Sequence, residues 1–99
     1  MPLSEPQKKL LRGLGHQLNP VIIVGDAGLS EALLNEFRST INHHELIKVR
    51  FRAGDRDTRN AMISELCAKE SAQLVTRIGN VALIYRRNDE NPKIPMPVQ

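Results

Sequence analysis

Two glycines three positions apart, Gly25 and Gly28, are the first residues whose type and spacing could bind a ligand. The run VIIV precedes them and an apolar-periodic segment follows, which predicts a turn from a strand into a helix. The first N–H groups of a helix have no intrahelical acceptor and lie at the positive end of its dipole, so they attract anions. The pattern therefore indicates either a clamp for a nucleic-acid backbone, as in KH domains, or a turn that simply requires glycine. Asp26, between the glycines, would repel a phosphate.

Cations alternate with apolar residues in LIKVRFR, residues 46–52. The alternation predicts a strand with Lys48, Arg50 and Arg52 on one face, at intervals of roughly 6.5–7 Å, close to the phosphate spacing of an extended single strand. Arginine binds phosphate through a planar fork and stacks on bases, which favours a binding surface. The alternative is the solvated face of an edge strand, where charges prevent pairing with other chains.

A second group of cations, Lys8, Lys9 and Arg12, shares one face of the first predicted helix by three- and four-residue spacing. This face contributes to phosphate binding only if it lies beside the glycine loop; otherwise it is an ordinary solvated face. Aromatic side chains for base stacking are scarce, and we expect Tyr85, the one candidate, to pack at the edge of the core with its hydroxyl in solvent. We therefore expect binding directed by the backbone and shape of a nucleic acid.

Catalytic and metal-binding patterns are not recognisable. The glycines complete neither a dinucleotide fingerprint nor a P-loop. His43 and His44 are adjacent on a helix and point about 100° apart, so they do not converge on a metal; we expect His44 to continue the buried stripe of its helix. The single cysteine, Cys67, excludes an intrachain disulfide, and no apolar run approaches a membrane span. We expect a non-enzymatic, cytoplasmic protein without a cofactor, metal, small-molecule substrate or membrane partner.

The elements that must position these residues fit one small domain of 99 residues with 14 basic and 11 acidic side chains. Periodicity, caps and glycine turns predict helices over 4–17, 29–43 and 55–70, and strands over 21–24, 46–52, 73–78 and 81–86. The order α-β-α-β-α-β-β, with its crossovers and final hairpin, predicts an α/β fold with a four-stranded mixed sheet and three helices. The first strand, apolar on both faces, predicts an interior position and a helix on each side of the sheet. Residues 88–99, polar and then proline-rich, predict a flexible tail after a single domain of residues 1–87.

Three stretches together carry a family resemblance: QKKLLRGLGHQLNPVIIVGDAGLSEALLNE, HHELIKVRF and IGNVALIYR. Over about residues 3–87 the chain resembles the YhbY-like CRM domain family, named for chloroplast RNA splicing and ribosome maturation. The resemblance implies a two-layer α/β fold similar to the C-terminal domain of translation initiation factor three. It also implies RNA contacts at the loop and a nearby basic surface, which fall on Gly25, Asp26, Ala27, Gly28, Lys8, Lys9, Arg12, Lys48, Arg50 and Arg52.

The function implied by the resemblance is binding of precursor large-subunit ribosomal RNA by an assembly factor, which we expect to be a monomer. Stand-alone bacterial members are associated with such precursors, and plant relatives act in group II intron splicing. The expected partners are RNA and the precursor of the large ribosomal subunit. A different class of function remains open: a protein-interaction module that docks on a ribosomal protein, with the cations serving solubility.

Overall fold

The computed structural model describes residues 2–52 and 54–97. The predicted order of three helices and four strands in a mixed sheet is confirmed. Residue 1 of the predicted domain and residues 98–99 of the predicted tail lie outside the described residues. The elements are α1 (Glu5–Gly15), β1 (Pro20–Val24), α2 (Glu31–His44), β2 (Leu46–Phe51), α3 (Arg56–Lys69), β3 (Gln73–Ile78) and β4 (Val81–Tyr85).

Each helix begins after an N-cap whose side-chain oxygen accepts a backbone N–H three residues on. Ser4 caps α1 and forms a complete capping box with Gln7. Asp55 caps α3, and Ser30 caps α2. The cap at Ser30 moves the start of α2 from the predicted residue 29 to residue 31.

The sheet has the strand order β1-β2-β4-β3, with β1 parallel to β2 and β4 antiparallel to both of its neighbours. The prediction that the first strand is interior is therefore wrong: β1 is an edge strand. Its apolar run has a different explanation. Ile22 and Val24 are buried, whereas Val21 and Ile23, on the opposite face, are 51% and 52% exposed.

Two apolar clusters cover the two faces of the sheet. The larger lies between the sheet and the buried stripes of α2 and α3, which include Phe37, Ile41 and Leu66. The smaller lies on the other face, where Leu11 of α1 packs with buried residues of β2, β3 and β4. Helices thus lie on both sides of the sheet, as expected from the sequence. On the face covered by α1, however, the part of the sheet near β1 stays uncovered.

The residue that enters the interior at the end of α2 is Glu45, not His44. The prediction that His44 continues the buried stripe is wrong, because His44 is exposed while Glu45 is fully buried at a φ of +65°. The positive φ turns the chain out of the helix and directs the Glu45 side chain inward.

Residues 88–97 lie against the domain, where the sequence predicted a flexible tail. The Glu45 carboxylate accepts the backbone N–H groups of Asn88, Lys93 and Ile94 at 2.7, 2.7 and 2.8 Å. The Ile94 side chain also packs against the smaller cluster. The composition of the tail could not reveal this anchor, because the carboxylate that holds it is supplied by another part of the chain.

Candidate nucleic-acid interface

An open groove of about 460 Å³ lies where α1 stops short of covering the sheet. Its cations are Arg12 from α1 and Lys48 and Arg50 from β2, so the structure brings together members of both predicted groups. Among the described residues that line the groove, none has a carboxylate. The aliphatic part of the lining consists of Leu18, Pro20, Ile78, Val81 and Leu83, and the remaining lining residues are Gly15, His16, Asn19 and Thr76. The groove therefore suits a ligand that is both anionic and partly apolar.

Alternation along β2 explains why its cations face this groove. Ile47, Val49 and Phe51 are buried in the larger cluster, so the intervening side chains point to the side of α1. Lys48 is partly buried and Arg50 is exposed. Since β2 is an interior strand, these charges have no part in preventing edge-to-edge pairing, and that explanation of the cationic strand does not hold.

The three cations of α1 do not act as one face. Arg12 lines the groove, and Lys8 lies one turn before it on the same side of the helix. Lys9 instead lies beside a separate shallow depression formed by α1 itself, with Leu10 and Leu14. Only part of the predicted helical group is therefore directed toward β2.

The loop of residues 25–28 forms a tight turn in which the Gly28 N–H donates to the Gly25 carbonyl oxygen at 3.0 Å. The two glycines serve different purposes. Gly28 has a φ of +66°, which favours glycine, whereas Gly25 has no positive φ and open space where a Cβ would lie. Asp26 and Ala27 are exposed at the tip.

The start of α2 is capped from within, so it is not the open helix end that the sequence suggested. The Ser30 hydroxyl accepts the Leu33 N–H at 3.1 Å, and the Ser30 carbonyl accepts the Leu34 N–H at 2.9 Å. In the described parts of the chain, the N–H groups of Asp26 and Ala27 donate to no protein acceptor. The N–H groups of Leu29, Glu31 and Ala32 likewise donate to no acceptor among the described residues, so the amides available to a phosphate run from the tip of the loop to the first turn of α2.

Arg52 connects the loop to the cationic strand. Its N–H donates to the Val24 carbonyl oxygen at 2.9 Å, one residue before the loop begins. Because β1 and β2 are parallel, their C-terminal ends lie side by side, and the loop that follows β1 therefore lies next to the end of β2. Lys48, Arg50 and Arg52 thus extend from the groove to the loop over roughly 13 Å of strand.

The phenylalanine and tyrosine side chains contribute nothing to this surface. Phe37 and Phe51 are fully buried, and Tyr85 is 5% exposed. Burial, with a smaller contribution from the nearby Glu45 carboxylate, raises the pKa of the Tyr85 hydroxyl. Base stacking on Phe or Tyr is therefore not available, and the exposed imidazole of His16 is the one ring that lines the groove among the described residues.

Sequence reasoning missed two features of the surface. The first is its aliphatic component, Val21 and Ile23 on β1 and Ile78 at the end of β3, which is 77% exposed. The second is Arg59, which lies one helical turn before Met62. A Cβ on Gly28 would lie 4.0 Å from the Met62 sulfur, so this turn of α3 lies near the glycine loop. The Arg59 Nη1 group donates to the Gly54 carbonyl oxygen at 2.7 Å. The apolar residues were detectable in the sequence, but their exposure depends on where α1 ends.

The described residues contain no grouped metal ligands and no membrane-spanning helix, and their one cysteine thiol is not activated. Over residues 2–52 and 54–97 no three His, Cys, Asp or Glu side chains group as metal ligands. No helix in those ranges has the length and apolar character needed to cross a membrane. Burial raises the pKa of the Cys67 thiol to about 11, which keeps it protonated at neutral pH.

Comparison with known proteins gives consistent matches over nearly the whole chain. The family model described as the CRS1 / YhbY (CRM) domain matches residues 3–86. A protein of Pseudomonas aeruginosa named a probable RNA-binding protein is 45% identical over 93 residues, which cover 94% of this chain and 89% of that protein. A protein of Haemophilus influenzae named an RNA-binding protein is 42% identical over 95 residues, covering 96% and 95%.

A solved structure agrees with these matches. The solution structure of a Staphylococcus aureus protein, described as a candidate RNA-binding protein, has a TM-score of 0.81 and 31% sequence identity to this chain. The match covers 97% of this chain and 100% of the other.

Proposed function

Because the chain belongs to the CRS1 / YhbY (CRM) domain family, we propose that it binds RNA, specifically precursor large-subunit ribosomal RNA, as a ribosome assembly factor. The names of its relatives support RNA binding. The observation that carries the proposal is the convergence of Arg12, Lys48 and Arg50 in one groove without a lining carboxylate. The ribosomal partner follows from the resemblance to stand-alone bacterial members of the family.

The mechanism we propose is recognition of the RNA backbone. Arg12, Lys48 and Arg50 would bind successive phosphates, with the arginines acting as two-pronged donors. Arg52 would bind the RNA backbone between the groove and the Gly-x-x-Gly loop, where Asp26 and Ala27 are exposed and their N–H groups donate to no acceptor among the described residues. Binding itself is the proposed activity, exerted by a monomer in the cytoplasm without chemical catalysis.

Salt dependence of binding tests the electrostatic basis. If four or five phosphates are neutralised, log affinity should fall with log salt at a slope of about −3 to −4. The assay is fluorescence anisotropy with a protein-free fragment of large-subunit ribosomal RNA. A flat response to salt would contradict the proposal.

A matched pair of variants tests the position of the interface. Lys48→Gln should weaken binding about three- to tenfold and reduce the salt slope by about 0.7–0.9, because one phosphate contact is lost. The control is Lys69→Gln at the end of α3, where Lys69 pairs with Glu65 at 3.8 Å. Equal effects of the two variants would show that binding depends on overall charge and not on the groove.

Docking on a ribosomal protein is the second candidate, and the exposed aliphatic residues Val21, Ile23 and Ile78 favour it. The same anisotropy assay separates the two candidates, since a purely protein-binding module would not bind RNA that has been freed of protein.

A further inference from the structure

We propose that the groove between α1 and the sheet holds an unpaired nucleotide of the RNA, with its base on the aliphatic floor and its phosphates on the surrounding cations. This inference rests on the proposed RNA binding. It adds that the RNA is single-stranded where it meets the sheet.

The register of the sheet builds this surface in two parallel rows. One row runs across the four strands through Ile23, Arg50, Val81 and Ile78. In each pairing the side chains lie on the same face, about 4.7–4.9 Å from one strand to the next. The row therefore places one guanidinium between aliphatic side chains over a width of roughly 14 Å.

The second row lies two residues away, toward the start of β1. It runs from Pro20 through Lys48 and Leu83 to Thr76 and again contains one cation beside aliphatic groups. Arg12 adds a third cation from the α1 side of the groove. Apolar and positively charged side chains thus alternate from one strand to the next. This arrangement suits a ligand in which flat bases are joined by phosphates.

The three cations of the groove lack counter-charges; some other described cations have them, whereas others, such as Arg56 and Lys93, do not. Arg38 pairs with Glu70, and Arg87 pairs with Asp89. Within the described ranges, none of Arg12, Lys48 and Arg50 has a carboxylate oxygen within the 4.0 Å that defines an ion pair. Three neighbouring cations without internal partners favour an anionic ligand.

The aliphatic floor argues for an unpaired base over a duplex. In an RNA duplex the bases are stacked inside the helix and only backbone and groove edges reach a protein, so Ile23, Val81 and Ile78 would still face water. An unpaired base can instead cover them. Because Phe37, Phe51 and Tyr85 are buried, the available surfaces for a base are aliphatic carbons, the planes of Arg12 and Arg50, and the exposed imidazole of His16, which also lines the groove.

Three RNA probes test the inference with the unaltered protein: a labelled ten-nucleotide uridine strand, the abasic ribose-phosphate strand of equal length, and a ten-base-pair duplex. We expect the uridine strand to bind about fivefold more tightly than the abasic strand, somewhat less than an aromatic platform would provide. The duplex, whose bases cannot reach the aliphatic floor, should bind no more tightly per phosphate than the abasic strand.

A matched pair of variants locates the base. Ile78→Ser should weaken binding of the uridine strand about three- to fivefold and leave the abasic strand unchanged. The control is Leu74→Ser, an exposed aliphatic residue of the same strand that pairs with Ile84 and does not line the groove. Ile78 is 77% exposed at a strand end, so its replacement should leave the fold intact.

Each outcome separates this inference from the function on which it rests. Equal binding of the uridine and abasic strands, or equal effects of Ile78→Ser and Leu74→Ser, would overturn the nucleotide site while salt-dependent RNA binding stands. Failure to bind any of the probes or the ribosomal fragment would overturn both. Loss of a ribosomal-protein contact in Ile78→Ser, with RNA affinity unchanged, would assign the groove to a protein.

Discussion

Replacement of Glu45 by glutamine tests whether one carboxylate anchors the C-terminal segment. Oε1 of Glu45 accepts the N–H groups of Lys93 and Ile94, and Oε2 accepts that of Asn88. A carboxylate can accept all three bonds, but the amide NH₂ of glutamine only donates. The most favourable orientation of a glutamine places its NH₂ group toward Asn88. It then loses the hydrogen bond from the Asn88 N–H and keeps weaker bonds from the N–H groups of Lys93 and Ile94.

The expected magnitude follows from this count. A hydrogen bond to a charged group contributes about 1.5–3 kcal/mol and a neutral one about 0.5–1.5 kcal/mol. The loss of one bond and the weakening of two is partly offset, because a buried amide costs less than a buried carboxylate. We expect docking of the segment to weaken by about 2 kcal/mol, which raises its undocked population roughly 30-fold.

Hydrogen exchange at single-residue resolution measures this change directly. Protection of the Lys93 and Ile94 amides should fall roughly 30-fold in Glu45→Gln, while amides of the central strand β2 change less. Glu36→Gln, an exposed site on α2, is the matched control. Unchanged protection at Lys93 and Ile94, or the same loss in Glu36→Gln, would refute the anchoring role of Glu45.

Three further predictions follow from local geometry. Gly28→Ala should lower the free energy of unfolding by about 1–2 kcal/mol because of its φ of +66°, and Gly25→Ala should not; equal urea midpoints would contradict this loop geometry. The hydrogen-bonded Arg38 guanidinium lowers the pKa of the Glu70 carboxyl below its ordinary value. The stabilisation from this ion pair is therefore present above the ordinary carboxyl pKa and is lost as the pH falls through the lowered pKa. Glu70→Gln should therefore flatten the acid limb of the stability curve, and an unchanged limb would exclude this ion pair as its source. Cys67, with a pKa of about 11, should react with iodoacetamide far more slowly in the native protein than in urea; equal rates would show that the thiol is not shielded.

The sequence predicted the elements well because their signals are local. The Ser4–Gln7 capping box and the Asp55 cap act within one helical turn, and both appear in the structure as expected. Alternation in residues 46–52 correctly predicted that Lys48 and Arg50 leave the buried face of β2. Each of these inferences needs only neighbours a few residues away.

The errors arose where position depends on distant parts of the chain. An apolar run such as residues 21–24 is compatible with an interior strand or with an edge strand that has one buried and one exposed apolar face. Strand order decides between them, and residue spacing does not contain it. Glu45 shows the same limit, because an acidic residue at a helix end is ordinarily solvated and only its remote partners Lys93 and Ile94 explain its burial.

Part of the candidate site could be predicted, because the spacing of its cations is a local signal. The cations of β2 were identified from their alternation, and Arg12 from its helical spacing. Their aliphatic neighbours Val81 and Ile78 could not be assigned, because the pairing that sets them beside Arg50 joins residues about 30 positions apart. Cross-strand register, and not composition, creates the mixed surface.

The groove itself follows from the length of α1 and from one close contact. Eleven residues give a helix of about 16 Å, which ends at Gly15 directly above Leu83. A Cβ on Gly15 would lie 2.6 Å from a methyl carbon of Leu83, so a larger residue at this position would have to displace the Leu83 side chain for the helix end to rest this closely on β4. Leu83 belongs to the row of Lys48, and the chain turns toward β1 before it reaches the row of Arg50. A helix that continued across the sheet would cover Ile23 and Ile78 and close the groove; the short helix leaves cations and aliphatic side chains open together on one face.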